Sequence, residues 1–185
     1  MTVKHAPSQV EHTNATTPAA PNSRRDTLTK AVLGVTRIVV GWTFLWAFFD
    51  KVFGLGYATP SGKGWIDGGS PTKGYLSSAD GPFADIYHNL AGTTFANWAF
   101  MLALLGIGSA MLLGIGMRIA GVAGALLYLL MWSVVLPPAT NPIVDDHILG
   151  ALIVAALALV GAGNYFGLGH WWNKIPLVQR LPWLK

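Results

Sequence analysis

The chain contains no cysteine. That excludes disulfides, zinc–thiolate sites, iron–sulfur clusters, covalently attached haem and persulfide chemistry on a thiol of this chain. Charge is scarce too. Only 11% of the 185 residues are Asp, Glu, Lys or Arg, less than half the share of about 25% in soluble domains. A disordered protein, a basic nucleic-acid binder and an ordinary cytosolic enzyme all need more charge than this. No dinucleotide fingerprint is present, and the glycine-rich stretch Gly62 to Gly69 lacks both nucleotide-loop spacing and a preceding strand. The Ser residues fall in the tail, the long loop and packing faces, so no Ser-His-Asp arrangement is indicated. Only His88 and His147 are placed to ligate haem, both at one edge, so the sequence carries no metal, flavin or haem signature.

What the chain does have is apolar surface. Hydrophobic residues make up 52%, with 8 Trp and 22 Gly, and mean hydropathy is +0.47. Four apolar runs cover residues 31–49, 95–115, 119–136 and 148–165. Each is close to the ~20 residues needed to cross ~30 Å of hydrocarbon. Lipid offers the backbone no hydrogen-bond partner, so each run is expected to be a helix. The fold class expected is all-α: a four-transmembrane-helix bundle with a long outer loop, about 51–94, between helices 1 and 2. Residues 1–30 read as a flexible polar tail, 31–166 as the membrane domain and 167–185 as an interfacial tail rich in Trp and bases. Arg24-Arg25 resembles a twin-arginine export signal, but the following run is too long and contains Arg37. A short amphipathic helix is expected after Asp80-Gly81-Pro82, with Phe83, Ile86, Tyr87 and Leu90 on one face.

The basic residues set the expected orientation. Lys4, Arg24, Arg25, Lys30, Arg118, Lys174, Arg180 and Lys185 are expected on one side of the bundle. Lys51, Lys63 and Lys73, with most of the Asp, fall on the other. The positive-inside rule then puts both termini in the cytoplasm of a multi-pass cell-membrane protein. The net charge of +4 is thereby topological, and no nucleic-acid partner is expected. Small residues mark the expected packing faces: Gly106, Ala110 and Gly114, then Gly121 and Ala125, then Ala151, Ala155, Ala158 and Ala162.

Arg37 is the most informative single residue. A guanidinium inside a spanning helix costs at least ~2.5 kcal/mol unless something offsets it. Three readings stand open: snorkelling or bonding to carbonyls and Asn164, binding an anion or a quinone oxygen, or facing another subunit. Arg37, Gly41, Phe44, Phe48 and Lys51 share one helix face. Asp50-Lys51 closes the first helix, and Asp145-Asp146-His147 opens the fourth. Acids there cap free N–H groups, and His147 or Asp146 is also suited to proton transfer. All five of these polar residues are expected on the outer side.

The stretch Arg37-Ile38-Val39-Val40-Gly41-Trp42-Thr43-Phe44-Leu45, followed by Asp50-Lys51 and Gly54, resembles the first helix of the DoxX/DoxD family of small membrane proteins. Gly68-Gly69-Ser70-Pro71 and Asn141-Pro142 with Asp145-Asp146-His147 resemble its DoxD-type branch. The likeness covers about residues 34–166. It implies a subunit of a thiosulfate:quinone oxidoreductase, with quinone as a substrate and with other membrane or soluble redox subunits as partners. In that picture Arg37, Lys51 and Asp50 hold substrate or quinone, and Asp146 or His147 moves the proton. The alternative is a non-catalytic accessory subunit of a respiratory or redox complex. The topology has its own test: a reporter fused after Lys185 should be active in the cytoplasm, and activity on the far side would overturn the assignment.

Overall fold

The computed structural model describes residues 23–139 and 141–185. Residues 1–22 of the expected polar tail lie outside the described residues. Among those described there is no strand. The helices are α1 (Ser23–Phe53), α2 (Lys73–Leu76), α3 (Ala84–Leu90), α4 (Thr94–Leu113), α5 (Met117–Val134), α6 (Asp146–Leu159), α7 (Gly169–Trp172) and α8 (Pro176–Arg180).

Helix α1 begins at Ser23 rather than Ala31, so the last part of the expected tail is helical. Its end is set by Gly54, whose φ of 61° is left-handed and whose N–H closes on Asp50 O at 2.8 Å. Left-handed backbone favours glycine because it has no Cβ to clash. Helix α4 starts on a Thr93 cap, with the Ala96 N–H donating to Thr93 Oγ1 at 3.2 Å. The α4–α5 turn uses Gly114 and Gly116, both at positive φ, giving the expected antiparallel hairpin.

Helices α1, α4 and α5 are long and apolar enough to cross a membrane. The fourth apolar run behaves differently. Helix α6 has only 14 residues, which span about 21 Å at 1.5 Å per residue. The expectation of a helix to residue 165 is corrected here. Gly161 turns left-handed at φ 65°, and Ala162–Asn164 forms a single 3-10 turn. The glycines of that segment end the helix, and its carbonyls are used elsewhere, as described below.

Helix α1 packs on α4, α4 on α5, and α5 on α6. Phe44, Met101, Leu104, Ile107, Met111 and Val154 form the core. The opposite faces carry exposed Val39, Leu102, Val122, Leu126 and Leu152. Apolar residues both inside and outside are what a lipid-facing bundle requires.

Close helix crossings rest on particular glycines. A Cβ on Gly41 would meet Leu112 N at 2.8 Å, and one on Gly108 would meet Leu45 N at 2.8 Å. A Cβ on Gly121 would collide with Ala158 Cβ, as its expected packing role requires. Gly106 does not pack: nothing lies within 4 Å of its Cβ position. The α4 contact runs through Gly108 because α1 crosses on that face, a rotation that spacing does not reveal. Gly121→Val should therefore lower stability by about 2–3 kcal/mol through overpacking, while Gly106→Ala should be neutral or slightly stabilising. Thermal melting of the two variants in the same detergent checks both.

Candidate functional site

The face of α1 carrying Gly34, Arg37, Gly41 and Phe44 is buried. Arg37 itself is 0% exposed. Its Nη1 donates to the carbonyls of Met111 and Leu112, the latter at 3.0 Å. Its Nη2 donates to Tyr165 O at 3.1 Å and Phe166 O at 3.0 Å. A guanidinium has five N–H groups. Four are met by carbonyls, and only Nε–H is buried without a partner.

Those carbonyls have a common origin. A helix leaves its last four C=O groups without intrahelical donors. In α4, Ala110 O accepts from Gly114 N at 2.8 Å and Ile115 N at 3.0 Å. Met111 O and Leu112 O accept from Arg37. Leu113 O accepts from Leu168 N at 2.7 Å. The guanidinium thus caps α4 from a neighbouring helix, and its charge complements the negative end of the α4 dipole. It also ties down the segment that ends α6. Glycines make the room: a Cβ on Gly114 would lie 2.9 Å from Nη1, and one on Gly167 would lie 3.0 Å from Nη2. Asn164 donates to Gly161 O instead, at 3.2 Å, and does not reach Arg37.

At the other end of α1, Asp50 is 1% exposed. Its carboxylate accepts from the N–H groups of Thr59 at 2.8 Å and Tyr57 at 3.3 Å. It folds the first part of the outer loop over the helix end. Among the described residues no ion pair joins it to Lys51. The loop is fastened again by buried Asn97 of α4. Asn97 Oδ1 accepts from Thr72 Oγ1 at 2.7 Å, Ser70 Oγ at 3.0 Å and Thr72 N at 3.2 Å. Gly64 and Gly69 pass so near backbone that a Cβ would sit 2.6 Å from Val52 O and 2.0 Å from Lys63 O.

This folding gathers Lys51, Lys63 and Lys73 around one cavity of about 820 Å³. Thr59, Ser70 and Tyr75 also line it, and no carboxylate does. The Lys51 Nζ lies 5.9 Å from the Phe100 ring centroid, a cation–π distance. Lysines 63 and 73 are not evident as site residues in the sequence, because they come together only when the loop closes. An arrangement of three ammonium groups and hydroxyls with no acid suits a small anion.

The third group lies at the start of α6. Asp145 is the cap, accepting from His147 N at 3.0 Å and Ile148 N at 3.3 Å. Its other oxygen lies 2.7 Å from His147 Nδ1. Burial works against its ionisation, but hydrogen bonds from the His147 side chain and the Ile148 amide outweigh it and hold the carboxyl below the usual range. Asp146 is exposed on the first turn. The His147 ring lies 6.3 Å from Tyr128, which meets Phe44 at 5.2 Å. Tyr75, from the lysine cavity, donates to Met131 O at 2.9 Å. Burial first, and then the charges of Asp145 and Tyr87, push its hydroxyl up to about 12. Tyr75 feels the charge of Asp145 but is hydrogen-bonded to Met131 O rather than to the Asp145–His147 pair. No hydrogen bond joins Asp50 or Lys51 directly to that pair among the described residues. Arg37 stands apart, 14 positions from Lys51, or about 21 Å along a helix.

No family model, curated protein or solved structure matches this chain.

Arg37→Met should leave two helix-end carbonyls and two turn carbonyls without their donor. The expected loss is about 3–5 kcal/mol. Arg37→Lys, with one nitrogen in place of the planar fork, should recover only part of it. Unfolding in a detergent series measures both.

Proposed function

We propose that this chain is an integral membrane subunit that takes up a small sulfur anion at the three-lysine cavity and passes its electrons to membrane quinone. The observation carrying the reading is the cavity bounded by Lys51, Lys63 and Lys73 without a single carboxylate. A divalent oxyanion pairs with those cations and accepts from the nearby hydroxyls. The resemblance to DoxD-type proteins supplies the chemistry. Two thiosulfate ions each lose one electron and join through a new S–S bond as tetrathionate. One quinone gains the two electrons and two protons. His147, backed by Asp145, is the group suited to relay protons, with exposed Asp146 at the entrance.

In this reading the bundle lies in the cell membrane with four membrane-embedded helices, α6 reaching only part of the way across. Both chain ends face the cytoplasm, and the lysine cavity opens on the outer face. Arg37 acts here as a positioning residue for α4, since its Nη donors are held by carbonyls.

That same commitment of Arg37 favours a second reading, in which the chain is a non-catalytic accessory subunit of a respiratory complex. The two readings separate on one preparation. The full chain in lipid nanodiscs is titrated with thiosulfate and then supplied with a short-chain quinone. Binding should weaken by about tenfold for each of Lys51→Gln, Lys63→Gln and Lys73→Gln, the scale of a charged hydrogen bond. Quinone reduction should fall in parallel. Thiosulfate binding that ignores all three substitutions would remove the anion site. An inert chain that co-purifies stoichiometrically with an oxidase or reductase would establish the accessory role.

A further inference from the structure

A second cavity, of about 770 Å³, lies between α5 and α6 at the end of the bundle opposite the lysine cavity. Its volume is in the range of ligand-binding clefts. Gly121, Ala125, Ala155 and Ala158 form its floor, and Leu126 and Leu159 rise at its sides. Leu159 is 88% exposed and Val122, also on the wall, 73%. The groove is therefore open along its apolar length. It is polar at one end only, where Arg118, Lys185, Asn164 and Asn173 stand.

The polar end is built rather than accidental. Arg118 N donates to Lys185 O at 2.8 Å, and Arg118 Nη1 donates to Pro182 O at 2.9 Å. Trp172 Nε1 donates to Leu184 O at 2.6 Å. These bonds fold the last residues back against the α4–α5 turn and bring the two cations to one place. No Asp or Glu side chain lines the cavity, the chain-end carboxylate of Lys185 is turned to the Arg118 N–H, and neither cationic side chain has an ion-pair partner among the described residues. Arg118 keeps further N–H donors for a ligand.

We propose that this groove seats one chain of an anionic phospholipid, whose phosphate lies between Arg118 and Lys185. Charge complementarity selects the occupant. Two cationic side chains against one chain-end carboxylate leave the end of an apolar furrow net positive, which matches a phosphate above a hydrocarbon tail, whereas an uncharged quinone ring has no use for that charge. Basic pockets between membrane helices bind anionic headgroups on this principle. The small residues keep the α5–α6 contact low, so that a chain can lie in the furrow above it between the Leu126 and Leu159 walls. The site is independent of the outer cavity and of the activity assigned to it.

The test uses the full chain, purified and stripped of lipid in a neutral detergent. Phosphatidylglycerol and phosphatidylcholine of the same chain length are titrated separately, and bound lipid is counted by native mass spectrometry. One phosphatidylglycerol per chain should bind on the order of tenfold more tightly than phosphatidylcholine. In the double variant Arg118→Gln, Lys185→Gln that preference should shrink to about twofold or less. Lys185→Gln alone, which keeps the Arg118 tether to Pro182, should give an intermediate preference and guards against a folding defect in the double variant. Val122→Trp, on an exposed wall position, should weaken both lipids while leaving the lipid-free melting temperature unchanged. Equal affinity for the two lipids in the native chain would overturn the proposal. So would a preference that survives loss of both cations, or displacement of phosphatidylglycerol by an equal concentration of an uncharged quinone analogue.

Discussion

One guanidinium holds the lower half of this bundle together. Arg37 reaches from α1 to the exposed carbonyls at the end of α4 and to the turn that stops α6. Desolvating an arginine is unfavourable, and so is leaving helix-end carbonyls bare in an apolar setting. Here each deficit offsets the other. The result is a joint between three segments that are far apart in sequence. Gly114 and Gly167 flank it because backbone must approach to within hydrogen-bond range of a planar cation. That joint also accounts for the short α6. The residues that would have continued the helix present their carbonyls sideways to Arg37.

The opposite end of α1 solves the reverse problem. There a buried carboxylate, Asp50, is satisfied by backbone N–H groups of the loop that follows it. Asn97 repeats the device from α4. A loop fastened at two buried polar anchors is not a floating connection. Its glycines let it lie on itself closely enough that three lysines share one cavity. Three cationic side chains and no Asp or Glu line that cavity, which is why it is read as a place for an anion. The acidic and imidazole groups at α6 form a separate cluster.

Much of this was legible beforehand. The apolar runs identified α1, α4 and α5 and the tight α4–α5 hairpin, because lipid imposes length and hydrophobicity directly on sequence. The short helix after Asp80 also appears, as α3, packed on α5 through Tyr87 and leaving Phe83 and Ile86 exposed. The end of the fourth helix was not legible, since apolar composition continues past Leu159 while the backbone turns at Gly161. Gly106 and Gly108 are indistinguishable by type, and only the crossing of α1 selects the second. Within the polar groups, the sequence left the cap to either acid of Asp145-Asp146, and the geometry gives it, with the partnership of His147, to Asp145.

By itself the sequence determined that this protein is helical, apolar on its outer faces, free of thiol chemistry and marked by one arginine needing an explanation. Those properties are local or compositional, and they survive any arrangement of the helices. The tertiary structure decided what the arginine holds, that Lys63 and Lys73 join Lys51, and that Arg118 and Lys185 close one end of a groove. Each of these depends on groups from distant segments converging, and periodicity along a chain carries no information about which distant segments meet.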